Sequence, residues 1–325
     1  MRRREFIVGI GVAAAWRVAA HAHAPPVIGF LSNASPDGYA LRLRAFRRGL
    51  QETGFIEGQN VTIEFRWANG ENARLPALAT ELVNRGVSVI VAGGGTPAAM
   101  AAKAATTTIP VVFAVAVDPV EVGLVRSLNH PGDNLTGITN MNVQIGPKKL
   151  EVLRELLPAA TRVAVLLNPT SAVSESFLRE LQPAAKALNF RLYAVQASKD
   201  SDLEPAFAKM TADLKVDALV MAPDVFYNTR TEQLAKLALR HAVPAMQQYP
   251  PFVAAGGLIS LGADENEYYR LVGTYAGRIL KGDKPGDLPV QRSTNVELII
   301  NSKTAKALGI TLPLSLLGRA DEVID

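Results

Sequence analysis

Val87-Ser88-Val89-Ile90-Val91-Ala92, then Gly93-Gly94-Gly95, then Thr96-Pro97: an apolar run, a glycine turn and a helix start occupy eleven consecutive residues. The valine-rich run is of the kind buried on both faces of a parallel sheet. Threonine as N-cap and proline in the first turn then open a helix. Strand, tight turn and helix make one βα unit, and similar units flank it. Upstream, Val27-Ile28-Gly29-Phe30-Leu31 is another buried run. Tyr39, Leu43, Phe46 and Leu50 follow at helical spacing, with Arg42, Arg44, Arg47 and Arg48 between them and Gly54 at the end. Residues 61–67 alternate as a strand does, and Leu75, Leu78, Leu82 and Val83 mark a helix that Gly86 stops. Downstream, 110–116 is a further strand. The series β-α-β-α-β-α-β predicts an α/β fold with a doubly wound parallel sheet.

The plan then repeats. Strands are expected at 163–167, 190–195 and 218–221 and from Pro244, with helices at 174–188, 202–214 and 229–240. Leu75-Pro76-Ala77 precedes one helix and Glu204-Pro205-Ala206 the matching one; Pro76 and Pro205, like Val91 and Val220, stand 129 residues apart. A repeat of this size predicts two Rossmann-like lobes rather than a solenoid. The tail reads as a strand from Leu258, a helix at 265–280, a Gly/Pro-rich connection at 282–289, a strand at 296–300 and a short helix at 303–308. That is too little for a third domain, so it is expected to complete both lobes. The expected crossings lie near 139–144, 261–265 and 282–293. The expected division is an export signal at 1–22, one lobe at 23–140 plus 265–285, and the other at 141–264 plus 286–325.

Composition agrees with a globular chain: 325 residues, 48% hydrophobic and 20% charged. With no cysteine, disulfides, a thiol nucleophile, cysteine-ligated metal and a cysteine-anchored lipid are excluded. The 34 basic and 30 acidic residues owe their imbalance to Arg2, Arg3, Arg4 and Arg17, opposed there by Glu5 alone; without residues 1–22 the counts are 30 and 29. A nearly neutral body implies no nucleic-acid partner. The first segment runs from basic to weakly apolar (7–15) to the small-x-small pattern Ala20-His21-Ala22, the order of an export signal. Arg3-Arg4-Glu5-Phe6 is similar to a twin-arginine signal. The apolar run is shorter than the ~20 residues that span a bilayer. A periplasmic location is therefore expected.

Ligands in open α/β sheets bind beyond the carboxyl ends of the strands. Those ends offer Ser32 and Asn33, then Gly95, Thr96 and Pro97, then Asp118 in the first lobe. The second lobe offers Asn168, Asp224 with Tyr227, and Gln247. A small polar or zwitterionic ligand fits such a set, its carboxylate at the helix start of Thr96 and its ammonium on Asp118 or Asp224, with Tyr227 as an aromatic wall. The plainer readings are turn glycines, helix-capping acids and packed aromatics. Gly93-Gly94-Gly95-Thr96-Pro97 has neither the end of a phosphate-binding loop nor a dinucleotide fingerprint. Asp264-Glu265-Asn266-Glu267 lacks the spacing of a calcium loop, so no metal and no cofactor are expected. His130 sits in a turn and His241 at a helix end, neither beside a nucleophile. No catalytic residues are assigned.

Residues 123–137, Gly123-Leu124-Val125-Arg126-Ser127-Leu128-Asn129-His130-Pro131-Gly132-Asp133-Asn134-Leu135-Thr136-Gly137, resemble a stretch of the ABC transporter substrate-binding family related to tryptophan-uptake binding proteins. So do Phe55-Ile56-Glu57-Gly58, Ile109-Pro110-Val111-Val112-Phe113, Pro285-Gly286-Asp287-Leu288-Pro289, Glu297-Leu298-Ile299-Ile300-Asn301 and Arg319-Ala320-Asp321-Glu322-Val323-Ile324. The likeness runs in order through 27–325. It implies the type I periplasmic binding protein fold, two lobes closing on a solute, and an ABC permease in the inner membrane as partner, with the receptor a monomer. It also brings in Ser260: family members commonly have Ser-Tyr-Gly where this chain has Ser260-Leu261-Gly262. If that tyrosine meets the ligand, Leu261 shifts the preference toward a less polar one. Two alternatives share the cleft: a sensor that presents its solute to a membrane kinase or chemoreceptor, and an exported α/β hydrolase. The effector lobe of a repressor is a third, but the first strand begins too early for a helix-turn-helix.

Overall fold

The computed structural model describes residues 24–37, 39–171, 173–293 and 295–325; the expected export signal at 1–22 lies outside the described residues. The chain runs β1 (Val27–Ser32), α1 (Ala40–Glu52), β2 (Thr62–Trp67), α2 (Leu75–Arg85), β3 (Val89–Ala92), α3 (Gly95–Ala105), β4 (Val111–Val115) and β5 (Leu135–Thr139). It continues with α4 (Gly146–Leu156), β6 (Arg162–Leu167), α5 (Val173–Ala187), β7 (Arg191–Gln196), α6 (Asp200–Ala208), β8 (Ala218–Met221), α7 (Val225–Asn228) and α8 (Thr231–Arg240). The remainder is β9 (Ala245–Gln247), α9 (Pro250–Ala254), β10 (Ile259–Ala263), α10 (Glu265–Leu280), β11 (Gln291–Arg292), β12 (Val296–Asn301), α11 (Ser302–Ala307), α12 (Leu314–Leu317) and β13 (Glu322–Ile324).

Two sheets result, ordered β2-β1-β3-β4-β5-β11 and β7-β6-β8-β9-β10-β12-β13. All pairings within them are parallel except β10 with β12. The 129-residue offset is structural: β2 and β7, and likewise β3 and β8, are related by it end to end.

Side chains alternate between the faces of each sheet, as strand geometry requires. In the first, Ile90, Val111 and Phe113 face α2 and α3, which supply Leu78, Leu82, Ala98 and Ala102. Phe30, Val91 and Val112 face the other way, onto α1 and α10 through Phe46, Leu50, Val272 and Ala276. In the second sheet Val163, Val165 and Val220 face α4 and α5, while Ala164, Leu166 and Leu219 face α6 and α8.

α10 follows β10 of the second lobe in sequence yet packs on the first. It begins at Asp264, whose side chain accepts from the Asn266 and Glu267 N–H groups. It then crosses α1 with almost nothing between the two backbones. A Cβ on Gly49 would lie 1.9 Å from the Arg270 carbonyl oxygen, and one on Gly273 would lie 2.0 Å from that of Phe46.

The chain passes between the sheets at 140–145, at Asp264 and at 293–295. Backbone and side-chain bonds tie the passages together. Ala263 N–H donates to Asn142 Oδ1 at 3.0 Å, Asp264 N–H to the Asn295 carbonyl at 2.9 Å, and Ser293 N–H to that of Thr139 at 2.9 Å. The third passage corrects the expected boundary at 286, because Gln291–Arg292 pairs with Ile138 and Thr139 of the first sheet. Other differences are local. β5, α4 and the short α7 had not been anticipated, the helix expected at 202–214 ends in a π turn from Lys209, and the one expected at 229–240 is α8, beginning at Thr231. Gly94, not Thr96, occupies the N-cap of α3.

One buried group stands apart. Lys149 of α4 is fully buried, its Nζ 5.7 Å from the Phe177 ring centre and, among the described residues, without a hydrogen-bond partner. Burial pushes its pKa down to about 7. In the unfolded chain the group holds its proton to about pH 10.4. Between those values the unfolded state binds the extra proton, so stability rises with pH, and at and below neutrality the penalty is complete. Lys149→Met should therefore stabilise the protein by on the order of 4 kcal/mol near neutral pH, with the gain fading as pH approaches about 10; thermal melts at both ends of that range check it. Gly49→Ala should lower stability by about 3 kcal/mol through overpacking, read from urea midpoints.

Candidate functional site

The carboxyl ends of both sheets face one another across a narrow cavity of about 50 Å³. The first lobe supplies Asn33 after β1, Gly94 to Pro97 after β3 and Ala116 after β4; the second supplies Ser171 after β6 and Pro223 to Val225 after β8. Gly95 has φ +77°, a backbone that favours glycine, and a Cβ there would come within 3.5 Å of Val225 Cγ2. The start of α3 and the start of α7 thus touch across the cleft.

Five of the expected residues line this cavity: Asn33, Gly95, Thr96, Pro97 and Asp224. Thr96 is 4% exposed, and among the described residues its Oγ1 has no partner; the same holds for Asn33 Oδ1. Thr96 sits in the first turn of α3, where main-chain N–H groups are unpaired by the helix and the dipole favours an anion. Asp224 Oδ1 accepts from Phe226 N–H at 2.8 Å and from Asn168 Nδ2 at 3.1 Å. Burial raises its pKa, and these donors work against that rise.

The other expected residues stand back from the cavity. Ser32 lies one position inside β1 and accepts from Ala34 N–H. Asn168 holds Asp224 from behind. Gln247 is fully buried, its Nε2 donating to the Tyr227 carbonyl at 3.1 Å. Ser260 is buried within β10. Asp118 caps the turn after β4, accepting from Val120 N–H at 2.8 Å. Tyr227 is no aromatic wall: its ring belongs to the second lobe's apolar core and its hydroxyl donates to the Ala197 carbonyl. Leu261 is likewise core, packed with Met246 and Leu298.

Several lining residues had not been anticipated. Arg42 of α1 and Glu265 of α10 form a buried ion pair, Nε to Oε1 at 2.7 Å, with side chains 6% and 13% exposed. Arg42 falls three residues after Tyr39, on the buried face of its helix, and that spacing was the available signal. Glu265 was hidden among the acids expected at a helix start. Burial raises the Glu265 pKa while Arg42 opposes the rise.

Tyr249, Tyr268 and Tyr269 complete the wall, and their hydroxyls are already engaged. Tyr268 donates to the Val115 carbonyl at 3.0 Å. Tyr269 donates to that of Gly93 at 3.0 Å beside Tyr39, which bonds the same oxygen. Tyr249 accepts from Asn140 at 3.0 Å and Asn142 at 3.2 Å. With hydroxyls turned to the scaffold, the rings present carbon to the cavity.

Residues 27–324 match the family model described as ABC transporter substrate binding protein. A tyrosine-binding protein of Clostridioides difficile is 30% identical over 265 residues, 82% of this chain and 75% of that one. Among solved structures, a conserved domain protein from Vibrio cholerae superposes with TM-score 0.84 at 29% identity, covering 92% of this chain and 99% of that one. An ABC domain in complex with L-Trp from Streptococcus pneumonia superposes with TM-score 0.83 at 26% identity, covering 93% and 100%. The two-lobed plan also matches type I periplasmic binding proteins.

Proposed function

The chain belongs to the ABC transporter substrate-binding protein family, a family of binding proteins and not of enzymes, and we propose that its solute is a free aromatic α-amino acid. A protein of this family takes a small-molecule solute and works with a transporter permease. The observation that carries the finer reading is the pairing of opposite polar ends across the cleft. Thr96 Oγ1 and the first N–H groups of α3 form an anion site on one lobe, and the buried Asp224 carboxylate faces the same cavity from the other. An α-carboxylate suits the first and an α-ammonium the second. The carbon faces of Tyr249, Tyr268 and Tyr269, with Pro97 and Val225, suit an aromatic side chain. That the C. difficile relative binds tyrosine and the streptococcal one L-Trp supports the choice.

Function then follows from closure. A ligand that touches both lobes favours the closed arrangement over the open one by the free energy of those contacts, and the closed arrangement is what the permease engages. The three tied passages at 140–145, Asp264 and 293–295 are the place for the hinge. The leader-like order of residues 1–22 supports export to the periplasm, where the receptor acts as a diffusing monomer. Among the described residues no helix is long and apolar enough to cross a membrane.

Calorimetry with L-tyrosine, L-phenylalanine and L-tryptophan tests this. Asp224→Asn should weaken binding at least about tenfold and Thr96→Ala by several-fold to about tenfold, whereas Asp118→Asn should leave the affinity alone. Binding of none of the three, or indifference to Asp224→Asn, would defeat the reading. The pH dependence has a definite sign. The ammonium contact needs ionised Asp224, and burial raises that pKa. Affinity should therefore fall on acidification, and the fall should begin at a pH above the usual aspartate range of about 4.

A further inference from the structure

We infer that the Arg42–Glu265 ion pair reads the far end of the ligand's side chain and selects an aromatic ring that ends in a hydrogen-bonding group over one that ends in carbon. The inference rests on the amino-acid reading above. Its basis is where the polar groups of the cavity lie. α3 covers one face of the first sheet, and α1 with α10 cover the other. All three helices start at the sheet's carboxyl edge, so the anion site of α3 and the Arg42–Glu265 pair lie on opposite sides of it. A ligand held by its carboxylate at Thr96 projects its side chain over that edge, past Val115, toward α1 and α10.

The walls met on that path are Tyr268 and Tyr269, whose hydroxyls are engaged with main-chain carbonyls. The polar groups at the end are Arg42 and Glu265. Glu265 gives Oε1 to Arg42 Nε, and a carboxylate has capacity to accept further bonds.

The same two side chains line a second, open groove outside, together with Leu41, Thr231, Pro250 and Pro251. The pair therefore stands between the inner cavity and the outer groove, lining both. Its position sets how long a side chain can be, and its chemistry sets what the tip must carry. Stability alone is a weak reason for such a pair, since apolar residues of like volume usually serve as well in a buried place. A donor on the ligand's tip gains a charge-assisted bond to Glu265. A tip of bare carbon leaves the same carboxylate desolvated with nothing new in exchange.

L-Tyrosine and L-phenylalanine differ by one hydroxyl and give the test by calorimetry. The wild-type protein should bind tyrosine at least about tenfold more tightly. O-Methyl-L-tyrosine, longer and with no donor, should bind more weakly than phenylalanine. In the charge-balanced double variant Arg42→Met/Glu265→Leu the tyrosine-to-phenylalanine ratio should fall to within about threefold of one. Equal binding of the two amino acids by the wild type, or tight binding of the O-methyl compound, overturns the inference and leaves the amino-acid reading standing. Binding of no amino acid overturns both. If circular dichroism shows the double variant unfolded, the wild-type series with its three ligands decides alone.

Discussion

Two helix backbones in contact hold the binding region in shape. α10 is made after β6 to β10 of the second lobe but must serve the first. It can seat on α1 because Gly49 and Gly273 put no side chain where the carbonyls of Arg270 and Phe46 need to be. Seating it does three things at once. It covers the exposed face of the first sheet with Val272 and Ala276, it sets Tyr268 and Tyr269 against the ends of β4 and β3, and it brings Glu265 to Arg42. An ion pair at this depth must offset the cost of leaving water, and it does so only in good geometry. The close approach of the helices supplies that geometry.

Recognition and closure are then aspects of one electrostatic problem. Asp224 is buried beside the cleft, and its raised pKa expresses the cost of holding a carboxylate there. In the proposed mode an ammonium group removes that cost, while the start of α3 takes the carboxylate. Each charge of the ligand sits on a different lobe, so neither lobe alone gains what both gain together. An uncharged molecule of the same shape would leave the penalty in place.

The parts that were legible in the sequence are those governed by period and by chain order. Buried runs such as Val89–Ala92 and Ala218–Met221 are short, apolar and followed by turns, and the 129-residue repeat fixed their correspondence. Strand ends pointed to the loops that bring Asn33, Thr96 and Asp224 to the cavity. Failures occurred where partners from afar decide the outcome. β5 reads Leu-Thr-Gly-Ile-Thr, a poor strand on its own, and it forms between β4 and a two-residue strand whose residues, Gln291 and Arg292, pair with Ile138 and Thr139 from far along the chain. Arg42 looked like one more solvated arginine among Arg44, Arg47 and Arg48, because nothing near it in the chain announces Glu265. Tyr227 misled for the converse reason: it stands in the right loop but points into the core.

The order of the elements has a consequence for how the protein comes into being. The first sheet lacks α10 and β11, and the second lacks β12 and β13, until residues 265–324 have been made. During synthesis, therefore, neither half can close. Phe30, Phe46 and Val91 wait uncovered, and β10 presents an unpaired edge. A nascent chain in this state has exposed apolar surface and open strands, the features that recruit chaperones or lead to aggregation. Both halves complete their folds together at the end, and loss of the carboxyl-terminal fifth of the chain would cripple both at once.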